Sequence, residues 1–269
     1  MLRSLKGLEH YTVRATDGAV GTVINFLFDD ERWAVRHFVV ETSGVFDGRR
    51  VLISPMSFQT ANWSTRCFDL ALSTEKIRRS PSIDVDKPVS RQHEADYYGY
   101  YGYPYYWGSG GIAGMGAYPG LLAAGTRRLA AQRASNNDSN DVHLRSASEV
   151  RGYHVQGKDD AIGHVADFLV DDDTWDVRYI VVDTTNWWFG KKVLVSPHWA
   201  HLISWIEKTV YFDLSRQAIK DSPEWNPEAG INRGYESRLY DYYGRPVYWD
   251  SSARPTGSAP HEHVATHPR

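Results

Sequence analysis

Asp17-Gly18-Ala19-Val20-Gly21-Thr22-Val23-Ile24-Asn25-Phe26-Leu27-Phe28 leads into Asp29-Asp30-Glu31-Arg32 and then Trp33-Ala34-Val35-Arg36-His37-Phe38-Val39-Val40. The reading of this stretch decides the fold. Both apolar runs are rich in β-branched and aromatic residues, and a polar turn joins them. That is the signature of an antiparallel hairpin. Gly21 lies inside the first run, where a glycine marks a bulge or a tight corner. Downstream, Arg49–Ile53 is a third strand, stopped by Ser54-Pro55. Phe58-Gln59-Thr60-Ala61 and Cys67–Leu72 supply shorter strands. Ser73 is placed to cap a short helix that ends at Ser80-Pro81. Several short strands closed by one helix argue for a small barrel or sandwich. No alternation of strand and helix runs through the chain, so a parallel dinucleotide fold is excluded.

The same pattern returns 142 residues later. Tyr153, Ala161, Gly163, Phe168-Leu169, Asp171-Asp172, Trp175, Val177-Arg178, Val193-Leu194, Ser196-Pro197, Trp205 and Ser222-Pro223 all repeat their counterparts. Over residues 5–107 and 147–249 there are 36 identities in 103 positions without a gap. The chain is therefore read as a duplication. The expected layout is a barrel at 5–81, an aromatic extension at 82–107 and a linker rich in Gly, Ser and Asn at 108–146. A second barrel at 147–223, a second extension at 224–249 and a disordered tail at 250–269 follow. Within the linker, Leu121–Ala134 has the makings of a short helix.

The order Asp-Gly-x-x-Val-Gly-x-Val, acidic turn, Trp-x-Val-Arg and Val-Leu-Ile-Ser-Pro (Val51–Pro55) resembles the PRC-barrel family, and it does so twice. The resemblance covers about 75 residues of each repeat. It implies a mainly β protein with two tandem, small, antiparallel β-barrels, each with a short helix and an aromatic C-terminal extension. Family members include the cytoplasmic domain of the photosynthetic reaction-centre H subunit and the C-terminal domain of a ribosome maturation factor. Both serve assembly and interaction, and neither context brings a catalytic motif to this chain. The H subunit's membrane helix has no counterpart here. Soluble bacterial proteins with tandem PRC-barrels are the nearest pattern.

Composition bounds the function further. The chain has 269 residues, 42% hydrophobic and 23% charged, with a net charge of −3. No global basic field attracts nucleic acid. One cysteine, Cys67, excludes an intramolecular disulfide. Without a signal peptide or an apolar run of membrane-spanning length, a cytoplasmic location is expected. The second repeat carries 11 basic and 16 acidic residues against 12 and 13 in the first, a balance that suits a basic protein partner. No nucleophile elbow, phosphate-binding loop or metalloprotease motif is present.

The aromatic extensions are the most distinctive feature. Tyr100, Tyr101, Tyr106 and Trp107 recur as Tyr242, Tyr243, Tyr248 and Trp249. Tyrosine and tryptophan bring large area at low rotamer entropy, so these eight residues are the candidate partner-binding set. The competing arrangement packs them on their own or the sister barrel. The acidic turns Asp29-Asp30-Glu31 and Asp171-Asp172-Asp173 read as solvated hairpin turns, since they lack the spacing of a known cation loop. His261, His263 and His267 sit in the tail, and His198 and His201 have no counterpart in the first repeat. Cys67 reads as a buried, inert thiol. Arg36 and Arg178 are expected to pair with a carboxylate, Glu41 or Asp17 and their equivalents. No catalytic, cofactor or metal site is expected. The expected function is a non-enzymatic interaction or scaffold protein whose two barrels pack on each other. The alternatives are a peripheral component or assembly factor of a membrane electron-transfer complex, and a metal-binding protein.

Overall fold

A computed structural model describes residues 1–43, 48–81, 89–106, 142–184, 191–227 and 230–249. The proposed linker helix, Trp107 and the tail histidines lie outside the described residues. The chain divides into two units. The first holds Leu5–Ser148 and Thr174–Asp176. The second holds Met1–Ser4, Glu149–Asp173 and the chain from Val177 onward.

In the first unit, helix α1 (Leu5–Leu8) leads to strands β2 (Thr12–Ala15), β3 (Gly18–Asp29), β4 (Ala34–Thr42) and β5 (Arg50–Ile53). Strands β6 (Phe58–Asn62) and β7 (Cys67–Leu70), helix α2 (Thr74–Arg78), strand β8 (Val89–Ser90) and helix α3 (Arg91–Tyr101) complete the repeat. The sheet runs β5-β4-β3-β2-β7-β6. The ladders are antiparallel except β2 with β7, which is parallel. β2 and β7 are separated by four strands' worth of chain, so alternation within any one segment carries no trace of that pairing.

The second unit repeats this order. It contains β10 (His154–Gln156), β11 (Ala161–Asp171), β12 (Val177–Asp183), β13 (Lys192–Val195), β14 (Ala200–Ser204) and β15 (Thr209–Phe212). Its sheet runs β13-β12-β11-β10-β15-β14. Helix α4 (Ala147–Val150) precedes these strands, and helices α5 (Arg216–Lys220) and α6 (Arg233–Tyr243) follow. The mainly β reading holds for both units. Ser73 and Ser215 cap α2 and α5, each accepting a backbone N–H from the third residue on.

The glycine in the long strand has a clear cause. A Cβ on Gly21 would lie 2.0 Å from the carbonyl oxygen of Glu41, and one on Gly163 would lie 2.0 Å from that of Asp183. Beside each, the register slips by one residue, at Val13/Arg14 and Val155/Gln156. The bulge bends the strand where the backbones approach closest. The Asp17 carboxylate then ties the β2–β3 turn to α2 by accepting the backbone N–H of Thr74 at 2.7 Å, and Asp159 does the same with Arg216 at 2.7 Å. Accepting that N–H holds the Asp17 carboxyl below its ordinary range.

The linker boundary requires correction. Residues Val142–Ser146, read as the end of the linker, form strand β9, which pairs antiparallel with β3 in the first unit. Strand β1 (Leu2–Ser4) pairs in the same way with β11 in the second unit. Leu2-Arg3-Ser4 and Leu144-Arg145-Ser146 stand at the repeat offset. Their bonds match. Arg3 donates to Asp172 at 2.8 Å and Arg145 to Asp30 at 2.7 Å. Asn25 donates to Ser146 at 2.9 Å, where the second unit has Ser4 donating to Asp167 at 2.5 Å.

The acidic turns are therefore only partly solvated, with Glu31 and Asp173 exposed and the other carboxylates drawn into contacts. Asp29 is fully buried and caps its turn by accepting the backbone N–H groups of Glu31 and Arg32. Asp30 and Asp172 hold the added strands. Trp175 belongs to the first unit's core, where its ring meets Phe38 and Phe58 at centroid distances of 4.8 and 5.8 Å. Phe26, Phe38 and Phe68 fill the rest of that interior.

Candidate functional site

Each barrel buries a second apolar layer on its outer face, and the extension covers it. The extensions are corrected from aromatic arms to helices. Polar and aromatic residues dominate Arg91–Tyr101, so helical periodicity is weak there and only packing reveals it. In the second unit, Leu169, Tyr179, Val181 and Leu194 of the sheet pack with Trp225, Leu239 and Tyr240. In the first unit, the Tyr97 hydroxyl donates to the Leu52 carbonyl at 2.9 Å and accepts the Ser54 N–H at 3.1 Å.

A buried glutamate anchors each helix. Glu94 is 1% exposed and accepts the Tyr106 hydroxyl at 2.8 and 3.0 Å. Glu236 is 4% exposed and accepts the hydroxyls of Tyr248 and Tyr179, both at 2.9 Å. Hydrogen bonds to an ionised acceptor are stronger than neutral ones, and a buried charge demands them. Above this pair lies an arginine. The Arg36 guanidinium carbon is 3.9 Å from the centre of the Tyr106 ring, and that of Arg178 is 4.3 Å from the Tyr248 ring. Arg36 also lies 3.4 Å from Asp29. The expected carboxylate partner of the strand arginine is thus corrected from Glu41 or Asp17 to Asp29, the last residue of the neighbouring strand β3.

The candidate partner-binding residues that are described lie against their own barrel, Trp107 being outside the described residues. Tyr101 is buried, and Tyr100 donates its hydroxyl to the Lys76 carbonyl at 2.7 Å. Tyr242 donates to the Ala218 carbonyl at 2.7 Å. Tyr243 packs on Trp199 with ring centroids 4.9 Å apart. Trp249 lies beside Tyr240 at 5.5 Å and beneath Arg233 at 4.1 Å. Among the described members of this set only Tyr242 keeps a large exposed area, 42%. Sequence reasoning missed Glu94 and Glu236 as anchors. Their signal was present, since both stand twelve residues before the tyrosine that binds them.

The remaining candidates are placed as follows. His198 and His201 are both exposed, and the His201 ring lies 6.2 Å from that of Tyr211. Cys67 is a buried free thiol. Asp171, Asp172 and Asp173 offer carboxylate oxygens within 4.8 Å of one another, with Asp172 ion-paired to Arg3. Among the described residues no helix is long and apolar enough to cross a membrane.

Docking leaves a mark on the tyrosines. Burial pushes Tyr240 and Tyr248 up to about 12, and Tyr97, Tyr98 and Tyr101 are raised further for the same first reason. A raised folded value stabilises the protonated phenol. That contribution is complete below the free-phenol value of about 10 and is lost as pH rises through the folded one. In an ultraviolet titration we expect Tyr97, Tyr98, Tyr101, Tyr240 and Tyr248 to ionise above the free-phenol range, and near about 10 once urea unfolds the chain. A single transition near the free value in the folded protein would mean that the extensions are undocked.

A model of the PRC-barrel domain matches residues 143–217. An uncharacterized protein of Deinococcus radiodurans is 32% identical over 111 residues, covering 39% of this chain and 37% of the relative. The chain thus spans well under half the length of that relative. A PRC-barrel supports a general role in protein interaction. The matched segment carries the bulged long strand, the tryptophan turn and the Val-Leu-Val-Ser-Pro strand end described above, and over residues 143–217 the chain matches the PRC-barrel domain.

Proposed function

We propose that this chain is a non-enzymatic interaction protein, a scaffold whose partner docks on the β14–β15 hairpin of the second unit. The observation that carries this reading is the apolar surface on that hairpin. Leu202 is 41% exposed and Ile206 91% exposed. The first repeat has Thr60 and Ser64 at these positions, so the apolar pair is not a demand of the fold. β14 ends its sheet path and has β15 as its one ladder partner among the described residues. An exposed apolar pair beside an open strand edge is the arrangement that binds an added chain. The extensions, consumed in covering their own barrels, serve the fold.

The test is a crosslinking and pull-down comparison of wild type with Leu202→Thr/Ile206→Ser, which copies the first repeat. We expect a partner held by wild type and lost, at least about tenfold, by the variant, with melting temperature unchanged. A partner in the membrane fraction would identify a membrane complex as the assembly served. Equal capture by both proteins would remove the hairpin from the interface.

A further inference from the structure

The two repeats differ on the outer face of the sheet. The ladder registers place His154 on β10 opposite His164 on β11, and His164 opposite Asp183 on β12. Residues directly opposite in an antiparallel ladder share a face, with Cβ atoms about 4.5–5.5 Å apart. The next residues along, Val155, Val165 and Val182, are buried on the inner face. The two imidazoles and the carboxylate therefore share the outer one. His154 is exposed, and His164 and Asp183 are half-buried. Lys192 on β13 ends the row beside Asp183. The same row in the first unit reads Thr12, Thr22, Glu41 and Arg50. The carboxylate and the cation are kept, while both threonines give way to histidine. The fold thus demands an imidazole at neither position.

We propose that His154 and His164 form a binding site for a late first-row divalent cation of the Zn²⁺ class, with Asp183 orienting the central ring. Imidazole nitrogen suits zinc, copper and nickel, whereas Mg²⁺ and Ca²⁺ take oxygen. A Zn–N bond is about 2.0–2.1 Å, so two imidazoles on one tetrahedral ion stand roughly 3.3 Å apart at their nitrogens. Rings whose Cβ atoms are one ladder step apart reach that separation by turning about their side-chain torsions. Asp183 is two strands from His154, roughly 10 Å, which is long for a third ligand on the same ion. Its part is to accept the N–H of the second His164 nitrogen, which fixes the ring and strengthens the nitrogen on the metal. Asp183 also stands between the ion and the charge of Lys192. Water completes the coordination shell. Among the described residues the carboxylates of Asp171, Asp172 and Asp173 are the one set of three such groups already within 4.8 Å of one another, so the imidazoles close on the ion as it binds. The all-oxygen aspartate set prefers a hard cation, and that difference separates the two by experiment.

Calorimetric titration of the full chain with Zn²⁺ alone tests this, in a background where His261, His263 and His267 are changed to glutamine so that the tail adds no imidazole. We expect a single zinc per chain. His154→Thr and His164→Thr, which copy the first repeat, should each weaken it at least tenfold, and Asp183→Asn by about tenfold. The melting temperature in the presence of a chelator should be the same for the threonine variants as for their parent. Mg²⁺ should give no binding heat at the same concentration. Zinc affinity unmoved by the threonine substitutions would overturn the site, as would binding seen only with the tail histidines restored. An equal response to Mg²⁺ would assign the ion to Asp171–Asp173 and overturn it too.

Discussion

Trp175→Ala is expected to cost about 3–5 kcal/mol, and the unit it loosens is the first, although the residue comes from the second repeat. Trp175 is 8% exposed and sits in a cluster of Phe38, Phe58 and Phe68, with ring centroids between 4.8 and 6.2 Å. Its carbonyl also accepts the Val35 N–H at 2.8 Å. Truncation opens a cavity of indole size among rigid aromatic rings that cannot collapse into it. Urea denaturation read by exchange of the β4, β6 and β7 amides checks the claim. A cost below about 1 kcal/mol, or loss of protection confined to the second unit, would refute it.

The second large effect concerns the strand glycines. Gly21→Ala places a methyl 2.0 Å from the Glu41 oxygen, and Gly163→Ala one 2.0 Å from the Asp183 oxygen. The obstacle is backbone within a ladder, so no side chain can turn aside. We expect each substitution to cost about 3 kcal/mol and to lower the melting temperature by roughly 6–12 °C. Gly18→Ala is the control in the same strand. Its Cβ would meet Thr74 Cγ2 at 3.5 Å, an ordinary contact, and its effect should stay within about 0.5 kcal/mol. Equal effects at Gly18 and Gly21 would refute crowding against the Glu41 carbonyl as the source of the cost.

The hairpin, the interior glycine, the serine cap and the duplication were all legible in the sequence, because each rests on residues near one another along the chain. What stayed hidden depends on distance. Trp175 reads as an ordinary strand starter until the fold lays it among phenylalanines some hundred or more positions away. The extension helices hide behind tyrosines, whose apolar rings and polar tips blur any stripe. Arg36 showed the need for a carboxylate, but its choice of Asp29 is made by strand geometry. Leu2-Arg3-Ser4 was readable in principle. Three identities at the established offset are too few to stand out at a chain end, where sequence reasoning expects fraying.

Those two Leu-Arg-Ser strands carry a consequence for heredity. Each sheet is completed by a segment encoded at the head of the other repeat. A gene fragment encoding either half alone would specify a barrel with one strand missing and one strand surplus. Deletion of a repeat, a common fate of duplicated modules, is thereby penalised from both sides. The halves are free to diverge at Leu202 or His164, and they remain bound to be inherited together.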